Sequence, residues 1–390
     1  MKELILNKNL TSLIFSKNLV QYTLHIRVLL FSWLAYEITK EDLWVGIIMG
    51  VGSSPVILTS LLGSYLSERF NINKILLLSY LFIFFLFTLF FIIDYKNIYN
   101  LFFLSILFGF ISGVPTAPFW TLLINVFGKN NLSKINSYYH MLMFFGEMAM
   151  PFIFGFLVSS FNISFVIVFA CFLLILGIVL IIFYPADNQI KLKQESKNFD
   201  SYFTILKKKP VVFWGTLIVA VQSIFGVTLF IVLPHYSDLL GIGAKGFGFM
   251  NGSLGTGLFL GTFCSIYTGV LRSKLLTWII STIVWDIGQL IFAFSFSYSL
   301  SIVTLFFMGF SAAYWTVAAN LIFQNETTEN DRNKIMGLLT LVMSLFFVGW
   351  LVGGVISNLT NAKIALIISA LSSYPIFIIA IISSKKLRIV

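Results

Sequence analysis

The chain has 390 residues, of which 58% are hydrophobic, 17% aromatic and only 10% charged. Soluble domains carry about 25% charged residues, so this composition excludes a soluble fold and defines an all-α polytopic membrane protein. The formal net charge of +10 raises nucleic acid as a partner, and the placement of the basic residues in short loops between apolar spans excludes it.

A spanning helix needs about 20 mainly apolar residues. In chain order, twelve such segments are predicted near 10–36, 43–66, 74–93, 100–127, 135–158, 163–184, 211–235, 246–270, 275–296, 299–323, 335–357 and 364–383. The N-terminal MKELILNKNL lacks a compact apolar region followed by a small-residue cleavage site, which predicts no removable signal peptide. Connections are short except at 185–210, a polar and basic linker. The predicted organisation is therefore an N-terminal six-helix half (1–184), the linker (185–210) and a C-terminal six-helix half (211–390). Nineteen Lys and Arg lie at the termini and in the even-numbered loops, against four in the odd-numbered ones. By the positive-inside rule this places both termini and the linker in the cytoplasm of a cell (plasma or inner) membrane.

Charges at bilayer depth are costly and mark candidate sites. In the first span Lys17, Gln21 and His25 recur at steps of four and share one helix face. Lys17 is expected near the cytoplasmic interface, where its long stem can snorkel. Arg27 is deeper, nearer a stripe of Ser16 and Thr23, and needs a partner or an anion. In the fourth span Pro115 and Pro118 break the helical ladder beside Trp120. In the fifth, Glu147 is the one formally charged residue between Ile135 and Ala186. It closes a polar face formed by Asn136, Ser137, His140, Phe144 and Pro151. Two readings stay open for it: a carboxylate that loads and releases a proton, with His140 on its stripe, or a fixed ion pair with Arg27. The eighth span contains GTGLFLG (255–261), whose small residues serve helix packing. The ninth carries Asp286 and the tenth Tyr314 and Trp315.

An internal repeat joins the two halves. Gly109-Phe110-Ile111-Ser112 matches Gly309-Phe310-Ser311 at an offset of 200. The stretch from Lys134-Ile135 to Gly155 likewise matches that from Lys334-Ile335 to Gly354. Duplicated six-helix halves facing each other around a central cavity are a transporter architecture.

The loop after the second span reads GSYLSERFNINK, with Gly63, Leu66, Glu68, Arg69 and Lys74 at the spacing of the G-x-x-L-A-D-R-x-x-R-R-K signature. The fifth span reads GEMAMPFIFG, keeping Gly146, Pro151 and a displaced Gly155 of G-x-x-x-G-P-x-x-G, with Met150 where a glycine is usual. On these motifs the whole chain resembles the major facilitator superfamily. It looks most similar to the drug- and siderophore-exporting branch that includes macrolide-efflux and enterobactin-exporting proteins. The resemblance implies alternating access, a cytoplasmic gate of Gly63, Glu68, Arg69 and Lys74, and cavity-lining roles for Trp120, Tyr314 and Trp315. It makes the ninth span peripheral, so Asp286 is expected to contact another helix structurally. Gly109 stands where many proton-coupled relatives carry an arginine.

The expected function is a secondary active exporter, a proton-coupled antiporter of a drug-like amphipathic compound, with an anionic siderophore or metallophore as the alternative substrate. Glu147 and His140 are the expected proton-coupling residues, and Arg27, His25, Gln21, Trp120, Tyr314 and Trp315 the expected substrate contacts. The expected partners are the small molecule, protons and the lipid bilayer, with the chain a monomer. No nucleotide, metal or Ser/His/Asp motif is present in the sequence, so no cofactor, metal or catalytic residue is expected. A non-transporting sensor and a polytopic membrane enzyme are the competing classes. A sensor is expected to recruit partners through an extra domain or long tail, of which the sequence gives no sign. An enzyme would want clustered His, Asp or Glu, whereas the three histidines, His25, His140 and His235, are spread over three spans.

Overall fold

In the computed structural model the described residues are 8–127, 132–184, 206–207, 209–270, 273–327 and 332–383. Their regular structure is helical, with no strand among them. The helices are α1 Lys8–Thr39, α2 Asp42–Ser53, α3 Pro55–Arg69, α4 Ile72–Thr88, α5 Ile98–Gly113, α6 Thr116–Phe127, α7 Leu132–Ser160 and α8 Ile163–Ile182. These are followed by α9 Pro210–Phe225, α10 Thr228–Leu239, α11 Gly243–Thr268, α12 Lys274–Ala293, α13 Tyr298–Asn325, α14 Arg332–Met343, α15 Phe346–Leu359, α16 Ala362–Leu371 and α17 Ser373–Ser383. Ten stretches of the described residues are long and apolar enough to cross a membrane, five of them formed by joining consecutive segments across a short break. The 32-residue α1 and the 26-residue α11 are the remaining long helices and complete the twelve predicted spans. Of the basic linker expected at 185–210, only residues 206, 207, 209 and 210 are described.

The breaks have local causes. Pro55 has no N–H to give the Val51 carbonyl, and the Ser54 hydroxyl donates to that oxygen at 3.1 Å, ending α2 and starting α3. Pro115 similarly ends α5, where the Val114 N–H bends back to the Ile111 carbonyl at 3.3 Å. Pro118, also expected to break this span, sits inside the first turn of α6, where a missing N–H costs little. Between α9 and α10, Gly226 and Val227 interrupt the ladder. The freed carbonyls are satisfied from outside the segment: Ser369 Oγ donates to Phe225 O at 2.5 Å and Gln289 Nε2 to Gly226 O at 3.2 Å. Membrane helices tolerate irregular backbone where neighbours supply such partners.

The chain divides into two compact units, Met1–Lys40 with Ile47–Gln194, and Glu41–Gly46 with Glu195–Val390. In the first unit α1 packs against α7 and α8. The Ser16 hydroxyl donates to Gly177 O at 2.7 Å and Ser12 to Leu180 O at 3.1 Å, so this stripe of α1 is spent on α8. In the second unit α11 and α12 pack along α13. A Cβ on Gly257 would stand 2.0 Å from Phe306 O, and one on Gly261 2.6 Å from Phe310 O. GTGLFLG is thus a helix-packing surface, as its composition predicts.

The repeat recurs as packing. A Cβ on Gly109 would meet Gly52 O at 2.5 Å, and one on Gly309 would meet Leu254 O at 1.9 Å. Ser105 donates to Ile48 O in the first unit and Ser253 to Ile302 O in the second, at 2.6 and 2.7 Å. In each unit a glycine and a serine at related positions bring two helix backbones together. The contact at Gly109 leaves no room for a side chain at that position.

Candidate functional site

Glu147 lies in α7 on a polar face, one turn before Pro151. Pro151 supplies no N–H to the Glu147 carbonyl, which leaves that oxygen without its helical partner. Gly146 explains how α1 approaches: a Cβ there would stand 2.1 Å from the Tyr22 ring. The Tyr22 hydroxyl donates to Leu142 O at 2.6 Å, fastening α1 to α7 beside the carboxylate. That fastening brings His25 to Glu147, with Nε2 to Oε1 at 3.9 Å and both side chains about one-quarter exposed (26% and 24%). The gap is longer than a hydrogen bond, and His25 Nε2 has no other partner. Two titratable groups therefore face each other across two helices.

The other expected members of the site separate. His140 is exposed on α7, its ring over Phe144 with 6.0 Å between centroids. It stands two helical turns, about 10 Å, from Glu147. Gln21 is half-buried one turn before His25. Arg27 is not the partner of Glu147. Its guanidinium lies 5.7 Å from the centroids of both Phe31 and Phe108, beside Gly52, where a Cβ would be 3.3 Å from Nη1. The residue is 7% exposed and its Nε makes no hydrogen bond. Among the described residues no carboxylate comes within ion-pair distance of it.

Lys17 does not snorkel. It is 4% exposed, with Nζ 5.9 Å above the Phe119 ring. Trp120 packs edge-on against Phe119 and Tyr139, both at 5.2 Å.

Around the expected gate, Gly63 lets α3 touch the α5–α6 break, since a Cβ would stand 2.1 Å from Val114 O. Asn71 caps α4 by accepting from the Asn73 and Lys74 backbone N–H groups, at 2.9 and 3.4 Å. Glu68, Arg69 and Lys74 are exposed, and Arg69 covers the Tyr65 ring at 4.4 Å. Among the described residues no ion pair closes within this loop.

In the second unit Tyr314 and Trp315 diverge. The Tyr314 hydroxyl pairs with Thr268 Oγ1 at 2.8 Å at an exposed position. The Trp315 indole donates to Gln222 Oε1 at 2.8 Å. Asp286 meets another helix, as expected, accepting from Ser373 Oγ at 3.0 Å.

Sequence reasoning overlooked Asp42. Within the second unit its carboxylate, 6% exposed, accepts from Ser357 Oγ at 2.5 Å and faces His235 Nδ1 at 3.1 Å. Neither partner lies near it in the chain, and an Asp in a first helical turn reads as an ordinary dipole partner. His235 was the only signal, as a histidine near the end of an apolar span.

Long apolar helices, broken at membrane depth and carrying buried charged groups, define a polytopic membrane protein with the architecture of secondary transporters. A sequence model of the Major Facilitator Superfamily matches residues 6–345. The chain belongs to that superfamily and is a transport protein rather than an enzyme. No curated protein matches the sequence. Solved structures with the same fold include a POT family transporter in complex with a thioalcohol-conjugated peptide (13% identity, TM-score 0.75, covering 97% of this chain and 96% of that one). The nucleoside transporter NupG is similar at 13% identity and TM-score 0.74, covering 97% and 100%. A bacterial homologue of the lysosomal transporter Spinster, inward-facing and unoccupied, is similar at 13% identity and TM-score 0.67, covering 95% and 94%. At these identities the likeness establishes the fold alone.

Proposed function

We propose that this transporter is a secondary active exporter of a small amphipathic organic molecule, driven by proton antiport through alternating access. The reading places it as a monomer in the cell membrane with both termini cytoplasmic, as the lysine and arginine asymmetry of the loops favours. The observation that carries it is the Glu147–His25 pair, 3.9 Å apart. A carboxylate kept in an apolar span where it costs about 2.5–3.5 kcal/mol needs a use, and a facing imidazole gives it a partner for proton exchange. Loading a proton on Glu147 neutralises it and lets it donate to the facing His25 imidazole instead of only accepting. That change of charge between α1 and α7 is the switch on which antiport would turn.

The test is uptake of candidate substrates into everted vesicles, with and without a proton gradient, for wild type and Glu147→Gln. Gradient-driven transport is expected to be lost in the variant, and unchanged transport would overturn the coupling assignment.

The Arg27 site favours a second substrate class. A buried guanidinium with no carboxylate partner among the described residues suits an anionic group, as on a siderophore or metallophore. Under that reading Arg27→Ala abolishes export of the anionic chelate, whereas transport of apolar dyes changes little.

A further inference from the structure

The second unit holds a cavity of about 360 Å³, within the range of small-molecule sites. Its position follows from the fold: it collects the breaks of three spans, at Gly226 between α9 and α10, at Met343–Phe346 between α14 and α15, and at Ser372 between α16 and α17. Phe230, Leu254, Trp285, Trp315 and Phe346 make the walls mainly apolar and aromatic.

Most of the lining hydroxyls are spent on backbone carbonyls, and the two larger polar side chains differ in kind. Gln222 is largely engaged. Its Oε1 accepts from the indoles of Trp315 at 2.8 Å and Trp278 at 3.3 Å, while one N–H of Nε2 donates to Thr282 Oγ1 at 2.8 Å. It orients the aromatic wall and keeps one neutral amide N–H, which carries no charge to answer that of a guest. Asp286 differs. It is 4% exposed, and receives only hydroxyl donors, Ser373 at 3.0 Å and Tyr374. Among the described residues no Lys, Arg or His lines the cavity. A carboxylate in a span, supported by hydroxyls but facing no cation among those residues, has no charged partner beside these aromatic faces when it is ionised. Both features favour one kind of guest, since a cation is held by the carboxylate and by π-faces together.

We propose that this cavity is a binding site for an amphipathic organic cation, with Asp286 receiving the cationic head and Trp285 and Trp315 its aromatic or apolar body. This site lies in the second unit, whereas Glu147, His25 and Arg27 all belong to the first. It concerns binding and does not depend on proton coupling.

The experiment is equilibrium binding of radiolabelled benzyltrimethylammonium to the purified full-length protein in nanodiscs, without a gradient. Its neutral isostere neopentylbenzene and the anion 3-phenylpropionate serve as competitors. Wild type is expected to bind one cation per chain saturably, displaced by neither competitor. Asp286→Asn is expected to weaken binding at least tenfold, and Ala312→Phe, which fills the cavity while keeping the carboxylate, to abolish it. Thermal unfolding establishes that each variant is folded, and where Asp286→Asn is not, Ala312→Phe decides. Binding is measured without a gradient, so a failure of the coupling reading leaves this test intact. Absence of saturable binding, displacement by the neutral isostere, or binding within twofold of wild type in folded Asp286→Asn or Ala312→Phe would overturn the proposal.

Discussion

Replacing Gln222 by leucine tests whether the side chain that orients the aromatic wall of the second unit also holds that unit together. Leucine removes the acceptor of two indole N–H groups and the donor to Thr282. The three losses are unequal. Trp278 is fully buried, at 0% exposure, so no water replaces the lost acceptor. An orphaned buried donor costs about 1–3 kcal/mol. Trp315 faces the cavity, where water can take the place of Gln222, and its loss is smaller, about 0.5–1 kcal/mol. Thr282 keeps its hydrogen bond to Trp278 O at 3.0 Å and loses little. The expected destabilisation is therefore about 1.5–4 kcal/mol. Reversible unfolding by sodium dodecyl sulfate in mixed micelles measures it. The double-mutant cycle with Trp278→Phe isolates the coupling, because the phenyl ring removes the donor along with its need for an acceptor. Interhelical hydrogen bonds in membranes average about 0.6 kcal/mol by such cycles, so a coupling above about 1 kcal/mol marks an orphaned donor rather than an ordinary pair. A loss below about 0.5 kcal/mol, or a double mutant additive within about 0.3 kcal/mol, would refute the reasoning.

Three further perturbations follow from the packing. Gly146→Val drives a methyl into the Tyr22 ring, which lies 2.1 Å from the Cβ position. A loss of about 1–3 kcal/mol is expected, and Tyr22→Ala in the same chain should recover part of it in the same unfolding assay. Gly109→Val and Gly309→Val each push a side chain against a carbonyl, at 2.5 and 1.9 Å. Both should lower the thermal melting temperature of the purified protein, and melting as in wild type would show that these helices do not touch through glycine. Ser357→Ala removes a hydroxyl that donates to the Asp42 carboxylate at 2.5 Å. Hydrogen bonds to charged groups contribute about 1.5–3 kcal/mol, and unfolding titration of this variant should register a loss of that size.

The spans were legible in the sequence because the bilayer imposes one requirement, a long apolar run with its backbone satisfied internally, and composition meets or fails it residue by residue. The glycines of the repeat were legible for a similar reason. Close approach of two helices tolerates few side chains, so Gly109 and Gly309 announce themselves by position. Partners across helices were not legible. The polar face of α7 was readable from periodicity, yet its geometry admits either Arg27 or His25 as the partner of Glu147. The choice was made by Tyr22 and Gly146, which set the rotation of α1 against α7 and send Arg27 instead toward Phe31 and Phe108. Periodicity says which side chains share a face, and only packing says what that face meets. Lys17 was misplaced for the same reason, because depth in the chain does not reveal that the Phe119 ring covers its ammonium.

Asp286 shows how a correct local expectation can miss the larger arrangement. Reading it as a contact to another helix was sound, since Ser373 does hold it. What the sequence conceals is that Ser372, Gly226 and the α14–α15 break converge on the same place from distant parts of the chain. Each break alone is a local matter of a glycine, a proline or a serine satisfying a freed carbonyl. Their coincidence produces the void, because a broken helix cannot present a continuous ridge of side chains to fill the groove opposite it. A carboxylate at such a convergence is kept from lipid by its own helices and kept from cations by their composition. Its charge then has to be answered either by a proton or by a guest, and equilibrium binding of an organic cation separates those two answers.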